Sequence, residues 1–273
     1  MGTEGRPVST TGKTDATGTG RPGGAVVPLL EARGITKSYG HVHALRGVDV
    51  SVRQGETVAL VGDNGAGKST LLKVLCGAHQ PDRGTMLVDG VPVLFRGARD
   101  AVQAGIAVVY QDLSLVNTRD VACNIFLGRE PGGILVSRRE MRRQAAAVLR
   151  DLNIAIPSVR TLVGNLSGGQ RQSVAIARAI HMGGRLVIMD EPTAALGVEG
   201  QRKVLRLIED LRAQGTAVIV VSHNLEHVFA VAERIIVLRN GRVAGERARA
   251  RTTPEEIVRL MVGADVLGET HGS

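Results

Sequence analysis

The chain has 273 residues, 43% of them hydrophobic but only 2% aromatic and none of them Trp, so it can bury a core and must pack it with aliphatic side chains. A formal charge of +8 suits an anionic ligand or an anionic surface, while the shortage of aromatic rings argues against nucleic-acid binding by base stacking. Two cysteines, Cys76 and Cys123, argue against a disulfide framework, and no run approaches the ~18 apolar residues of a membrane span. With no secretory segment at the start, the chain is expected to be cytosolic, or peripheral on a cytosolic membrane face.

Residues 1–28 are rich in Gly, Thr, Ser and Pro and poor in apolar side chains, and are expected to form a disordered tail. Order is expected from Leu29, with a β-like segment over 29–37. Tyr39, one of two tyrosines, is either a half-buried strand residue or a platform that stacks on a base. Residues 48–52 alternate apolar and polar, as an exposed strand does. Gln54-Gly55-Glu56 turns the chain into a short buried strand over 57–61. Then comes Gly62-Asp63-Asn64-Gly65-Ala66-Gly67-Lys68-Ser69-Thr70, which fits the phosphate-binding pattern G-x-x-x-x-G-K-[ST]. Its glycines let the backbone turn tightly and point N–H groups inward, and the helix that follows adds its positive end. Lys68 is placed to reach the β- and γ-phosphates and the Ser69 hydroxyl to hold Mg²⁺.

Gly77 is expected to stop that helix, with Cys76 packed inside it. Residues 86–93 read as a hairpin with Asp89-Gly90 at its turn. An apolar strand over 106–110 ends at Gln111. From residue 112 to about 165 a helical character is expected, with Met141, Ala145, Val148, Leu149 and Leu152 on one face and Arg138, Arg139, Arg142 and Arg143 mostly off it, on a solvated face. Leu166-Ser167-Gly168-Gly169-Gln170 then opens a helix to about Ile180, a second anion-binding helix start.

Residues 185–189 read as a buried strand that runs into Asp190-Glu191. A carboxylate pair at the C-terminal end of a parallel strand sits where an open α/β sheet takes its ligand: Asp190 can serve the Mg²⁺ shell and Glu191 can polarise an attacking water. The strand over 217–221 ends at Ser222-His223, at the same kind of position, and Asn224 can cap the helix after it. Asn240-Gly241 marks another hairpin turn, and Thr253-Pro254-Glu255-Glu256 has the form of a capping box that starts a short last helix through Met261. The tail after Gly263 is expected to fray.

Taken together, these stretches resemble the ATPase subunit of ATP-binding cassette (ABC) transporters, over about residues 29–263. The resemblance makes Gly62 to Thr70 the Walker A loop, Leu166 to Gln170 the LSGGQ signature, Asp190 the Walker B aspartate and Glu191 the catalytic glutamate. It makes His223 the switch histidine, Tyr39 the adenine-stacking aromatic and Gln111 the Q-loop glutamine, which joins the catalytic set with Glu191 and His223 and the metal set with Ser69 and Asp190. The fold it implies is a phosphate-loop α/β core with a parallel sheet, an N-terminal antiparallel β subdomain and an α-helical insertion over about 112–165. It further implies ATP and Mg²⁺ as ligands and a head-to-tail dimer, in which Ser167, Gly168, Gly169 and Gln170 of one copy close over ATP held by the other. Two anion-binding helix starts and a single full phosphate loop in one chain agree with such a shared site.

A narrower likeness, in Gly62 to Gly67, in Glu191-Pro192-Thr193-Ala194-Ala195-Leu196-Gly197 and in Ser222-His223-Asn224, is to the ATPases of monosaccharide importers of the ribose, xylose and fructose type. It implies permease subunits in the membrane, a substrate-binding protein met only indirectly, and a peripheral place on the cytoplasmic face of the cell membrane. Gly197 departs from the aspartate most ABC ATPases carry there, which implies either weaker coupling between two ATP sites or, in this subgroup, backbone contacts that serve instead with no functional effect. The competing readings are a soluble ABC ATPase without a transport role, which usually shows heptad arms or a second cassette that this chain lacks, a cassette that moves a non-sugar solute, and another phosphate-loop enzyme, which leaves the signature stretch unexplained.

Overall fold

Two kinds of sequence build two kinds of strand. The computed structural model describes residues 27–131 and 136–263; the expectations for the two termini fall largely outside them. In chain order the elements are β1 (Leu30–Tyr39), β2 (Val42–Val52), β3 (Thr57–Val61), α1 (Lys68–Leu75), β4 (Arg83–Val88), β5 (Val91–Val93), α2 (Ala98–Gln103), β6 (Ile106–Val109), α3 (Val121–Ile125), α4 (Arg138–Asp151), α5 (Gly168–His181), β7 (Leu186–Asp190), α6 (Val198–Ala213), β8 (Ala217–Val221), α7 (Leu225–Val231), β9 (Arg234–Arg239), β10 (Arg242–Ala248) and α8 (Pro254–Val262).

β1, β2, β4 and β5 form an antiparallel sheet in the order β2-β1-β4-β5. Its strands alternate: in β2, Val48, Val50 and Val52 are buried and their neighbours are not. The hairpin β4–β5 turns at Asp89 (φ 51°) and Gly90 (φ 77°), two consecutive left-handed residues, as a two-residue hairpin turn requires. The second sheet runs β10-β9-β3-β8-β7-β6, with β9, β3, β8, β7 and β6 parallel and β10 antiparallel at the edge. Here β3 and β8 are buried at every position, because both faces are covered.

The two-residue period divides that coverage. Val58, Leu60, Leu186, Ile188, Ile219, Ile236 and Leu238 face α1 and the antiparallel sheet. The alternate residues Ala107, Val109, Val187, Met189, Val218 and Val220 face α3, α4, α5 and α6, and Ala59, Val61, Ile235 and Val237 face α7 and α8. The two sheets are tied by Arg234 of β9, whose guanidinium donates to the Ser51 carbonyl of β2, to both Glu56 oxygens in the turn between β2 and β3 (2.8 and 3.1 Å) and to Glu246 (2.8 Å). Cys76 is buried as expected, and Gly77 (φ 72°) follows α1.

Three local expectations need correction. The stretch 112–165 is less helical than its composition implies: α3 and α4 are its only α-helices among the described residues, with a short 3₁₀ turn, Val163–Asn165. Residues 112–120 form a loop fastened by the buried Asn124, which accepts from the Val116 N–H and donates to the Val116, Arg119 and Asp120 carbonyls. On α4 the apolar face is where the period puts it, with Met141, Ala145 and Leu149 buried, but Arg142 turns inward to pair with Asp120 at 3.6 Å, while Arg138, Arg139 and Arg143 are exposed. The capping box of α8 is half made. Thr253 accepts from the Glu256 N–H, but the Glu256 carboxylate binds Arg247 and Thr252 instead of returning to the cap.

Candidate functional site

The parallel strands end at one edge, and that edge gathers most of the expected residues: the phosphate loop after β3, Asp190 and Glu191 at the end of β7, Ser222 and His223 after β8, and Gln111 beyond β6. The loop from Gly62 to Gly67 is built around two glycines that nothing larger could replace. Gly62 (φ 153°) has the Leu238 carbonyl where a Cβ would stand, and at Gly67 (φ 106°) a Cβ would lie 2.7 Å from the Ala44 carbonyl. The turn of the β9–β10 hairpin makes an equally close approach, with a Cβ on Gly241 also 2.7 Å from the Ala44 oxygen. The Gly241 N–H donates to the Ala66 carbonyl (3.0 Å) and the Arg46 N–H to the Gly241 carbonyl (2.8 Å). Main chain from β2, the phosphate loop and the β9–β10 turn is therefore locked together.

The cleft so formed has a volume of about 600 Å³ and is lined by Asn64, Gly65, Ala66, Gly67, Lys68, Ser69 and Thr70, with a rim of Val42, His43, Ala44 and Arg46 and a wall of Asn240 and Gly241. Lys68 folds over the loop, its Nζ donating to the carbonyls of Gly62 (2.7 Å) and Asp63 (3.0 Å). A cation held over inward-turned N–H groups at a helix start is a cradle for phosphate oxygens. Tyr39 is not among the lining residues; it is 43% exposed at the end of β1 and meets His79 edge-on, with ring centroids 5.8 Å apart.

Asp190 and Glu191 are neighbours with different surroundings. Burial and the Glu191 charge push the Asp190 carboxyl above its usual range, and the Lys68 and Lys73 charges pull part of the way back. A half-buried carboxylate short of positive charge, close enough to the phosphate-loop lysine to feel it, fits a divalent cation bound with phosphate. Glu191 has left-handed backbone (φ 47°) and its carboxylate is held by three donors: the Ser222 hydroxyl (3.2 Å), the His223 N–H (3.2 Å) and the His223 ring, whose Nδ1 lies 2.7 Å from Oε1. The sequence names Ser222 only beside His223 and assigns it no site role, although its place at the strand end is the signal that marks it.

Gln111 lines a different cleft, of about 290 Å³, with Asp112, Leu113, Arg171, Gln172 and the loop residues Ala194, Ala195 and Leu196. Gln172 is 5% exposed, and its amide nitrogen has no hydrogen-bond partner among the described residues. The half-buried guanidinium of Arg178 donates to the Leu113 and Ser114 carbonyls, fastening the segment after Gln111 to α5. Ser167 caps α5 in a complete box: its hydroxyl accepts from the Gln170 N–H (3.3 Å), and the Gln170 side chain accepts from the Ser167 N–H (3.0 Å). Gly168 and Gly169 occupy the first two helical positions, whose N–H groups have no intrahelical acceptor. These four residues lie beside Ala195 to Gly200 and do not line the Lys68 cleft of their own chain.

Comparison with known proteins agrees with this geometry. The family model described as ABC transporter matches residues 45–194. The chain is 44% identical to the xylose/arabinose import ATP-binding protein XylG of Sulfolobus acidocaldarius over 85% of its own length and 93% of that protein's. It is 46% identical to the fructose import ATP-binding protein FrcA of Rhizobium meliloti, over 87% and 95% of the two chains. It spans about half (47%) of the length of ribose import relatives such as RbsA of Yersinia pestis. Among solved structures, a dimeric ATP-binding cassette in a post-hydrolysis state, bound to ADP and Pi, superposes with a TM-score of 0.70 at 28% identity, covering 82% of this chain and all of that one.

Proposed function

Because this chain belongs to the ABC transporter family, we propose that it is the ATP-binding, ATP-hydrolysing subunit that powers import of a monosaccharide through a separate membrane permease. The observation that carries the hydrolytic part is the Glu191 carboxylate, fixed by Ser222 and His223 at the same sheet edge as the Lys68 cradle. The sugar comes from the printed names of the relatives. None of the described helices is long and apolar enough to cross a membrane; in this reading the permease supplies the span and this chain is peripheral at the cytoplasmic face.

In this reading residues 29–263 act as one ATPase domain, with 112–165 as its insertion. ATP lies on the N–H groups from Asn64 to Thr70, and Lys68 leaves its loop carbonyls for the β- and γ-phosphates. Tyr39, at the mouth of the β1–β2 hairpin whose residues form the rim, stacks on the base. Ser69, Asp190 and Gln111 would hold Mg²⁺, which when bound offsets phosphate charge. Glu191 accepts a proton from the attacking water, and the His223 ring keeps that carboxylate aimed. The N–H groups of Gly168 and Gly169, with Ser167 and Gln170, meet the γ-phosphate of a second copy, since they do not reach the Lys68 cleft of their own chain. The groove beside Gln111, with its buried Gln172 donor unpaired among the described residues, suits a segment of the permease that brings an acceptor.

The test is Glu191→Gln in the full chain. The amide keeps the shape but cannot take the proton, so ATP should bind, turnover should fall by at least the ~100-fold typical of a lost general base, and an ATP-dependent dimer should accumulate on size-exclusion chromatography. A variant that stays monomeric with ATP, or hydrolyses it at the parental rate, refutes the shared-site reading.

A further inference from the structure

The loop that joins β7 to α6 is held in an unfavourable shape. Glu191 (φ 47°) and Ala195 (φ 57°) both have left-handed backbone, which residues with a Cβ avoid unless their surroundings impose it. Both ends of the loop are anchored: the Glu191 N–H donates to the Val221 carbonyl (2.8 Å), and the Gln201 amide donates to the Leu196 carbonyl (3.0 Å). Its middle is anchored by one side-chain hydrogen bond to another element among the described residues. The Thr193 hydroxyl, on a residue only 4% exposed, lies 2.9 Å from Nδ1 of His227.

His227 belongs to the first turn of α7, and its N–H donates to the Asn224 side chain that caps that helix. His223 stands just ahead of the same cap. Two imidazoles four positions apart thus grip one loop, His223 at Glu191 and His227 at Thr193. Neither the phosphate cleft nor the Gln111 cleft is lined by His227.

We propose that His227 is a positioning residue for hydrolysis: through Thr193 it holds the 191–197 loop in the shape that keeps the Glu191 carboxylate against His223. The proposal rests on the reading of Glu191 as the hydrolytic carboxylate. If the Thr193 bond is lost, the loop can relax toward ordinary backbone angles, and Glu191 spends part of its time turned away from the water it must deprotonate. Nucleotide binding, which uses a cleft that neither Thr193 nor His227 lines, stays as it was.

The experiment uses the full chain with His227→Phe, which keeps a flat ring, and Thr193→Val, which keeps the shape, singly and together. Rates are normalised to sites that bind a fluorescent ATP analogue, so misfolded molecules do not count. Each single variant should lower kcat about five- to tenfold, the factor a single net hydrogen bond is worth, with KM for ATP within about twofold of the parent. The double variant should be no slower than the slower single one, and Thr193→Ser should keep the parental rate. In the parent, the ¹⁵N shift of His227 Nδ1 should move on Thr193→Val. Parental kcat in both single variants, losses that multiply in the double variant, or an unmoved Nδ1 shift overturns the proposal. A Glu191→Gln control separates the two readings: an inactive Glu191→Gln beside a normal His227→Phe overturns the role of His227 alone, whereas a fully active Glu191→Gln overturns both.

Discussion

Replacing Gly197 by aspartate should make the protein more stable. Gly197 is the N-cap of α6, with φ −67° and ψ 163°, an extended conformation any residue adopts, and it offers no side-chain acceptor to a helix of 16 residues. Nothing lies within 4 Å of where its Cβ would stand. An aspartate there can accept from the N–H groups of Glu199 or Gly200, worth a few tenths of a kcal/mol over glycine. Its charge beside the positive helix end adds ~0.3–1 kcal/mol, reduced by Glu199 in the first turn and helped by Lys203 one turn on. Loss of glycine's freedom in the unfolded chain adds ~0.4–1 kcal/mol. The sum, about 1–2 kcal/mol, should raise Tm by roughly 2–4 °C for a domain of this size. Thermal unfolding followed by circular dichroism at low salt and at 1 M salt measures it, and the charge part should vanish at high salt. Gly197→Asn should keep the cap and lose that part. An unchanged or lower Tm in the aspartate variant would refute the capping argument. A higher Tm with an unchanged Hill coefficient for ATP hydrolysis would confine the substitution to stability and remove any role in coupling two sites.

Three further outcomes follow from contacts described above. Gly62→Ala should displace the phosphate loop, since its Cβ meets the Leu238 carbonyl, and should abolish binding of a fluorescent ATP analogue. Lys68→Ala should weaken ATP binding and abolish turnover while leaving Tm nearly unchanged, because among the described residues the ammonium hydrogen-bonds only to two loop carbonyls. For Glu56, burial pushes its carboxyl up, but the hydrogen bonds from Arg234 and from the Arg53 N–H, with the attraction of both charges, more than reverse this and hold it below its ordinary 4.5. A group depressed in the folded state stabilises above its unfolded value and loses that contribution as pH falls through the folded one. The contribution of this pair should therefore be lost as pH falls below 4.5, and Arg234→Met, which strands a buried carboxylate at a cost of about 3–5 kcal/mol, should lower Tm most near neutral pH, with a deficit that shrinks as pH falls and the carboxyl takes up a proton.

What the sequence made legible was whatever depends on near neighbours. Asp89-Gly90 and Asn240-Gly241 fix their turns by backbone preference alone, and both stand where expected. The unbroken apolar runs of β3 and β8 announce a sheet covered on both faces. The misses all involve a distant competitor. Glu256 leaves its cap because Arg247, from β10, offers a charged partner at 2.6 Å. Arg142 turns inward because Asp120 lies opposite it. Residues 112–120 show no period because one side chain, Asn124, orders them from outside. At the site, the glycines, Lys68 and the acid pair carry their chemistry in a local pattern. Thr193 and His227 are 34 positions apart, and neither has a local signal that names the other.

The junction at the Ala44 carbonyl separates two properties that most binding sites entangle. The phosphate cradle is dimensioned by main-chain atoms from three segments meeting at one oxygen, whereas its rim is made of the side chains of Val42, His43 and Arg46. Substitutions along the rim leave the cradle's dimensions alone. On the proposed reading, in which the rim meets the base, preference among nucleosides can therefore drift in descendants of this sequence while the cradle for the phosphates is inherited unchanged.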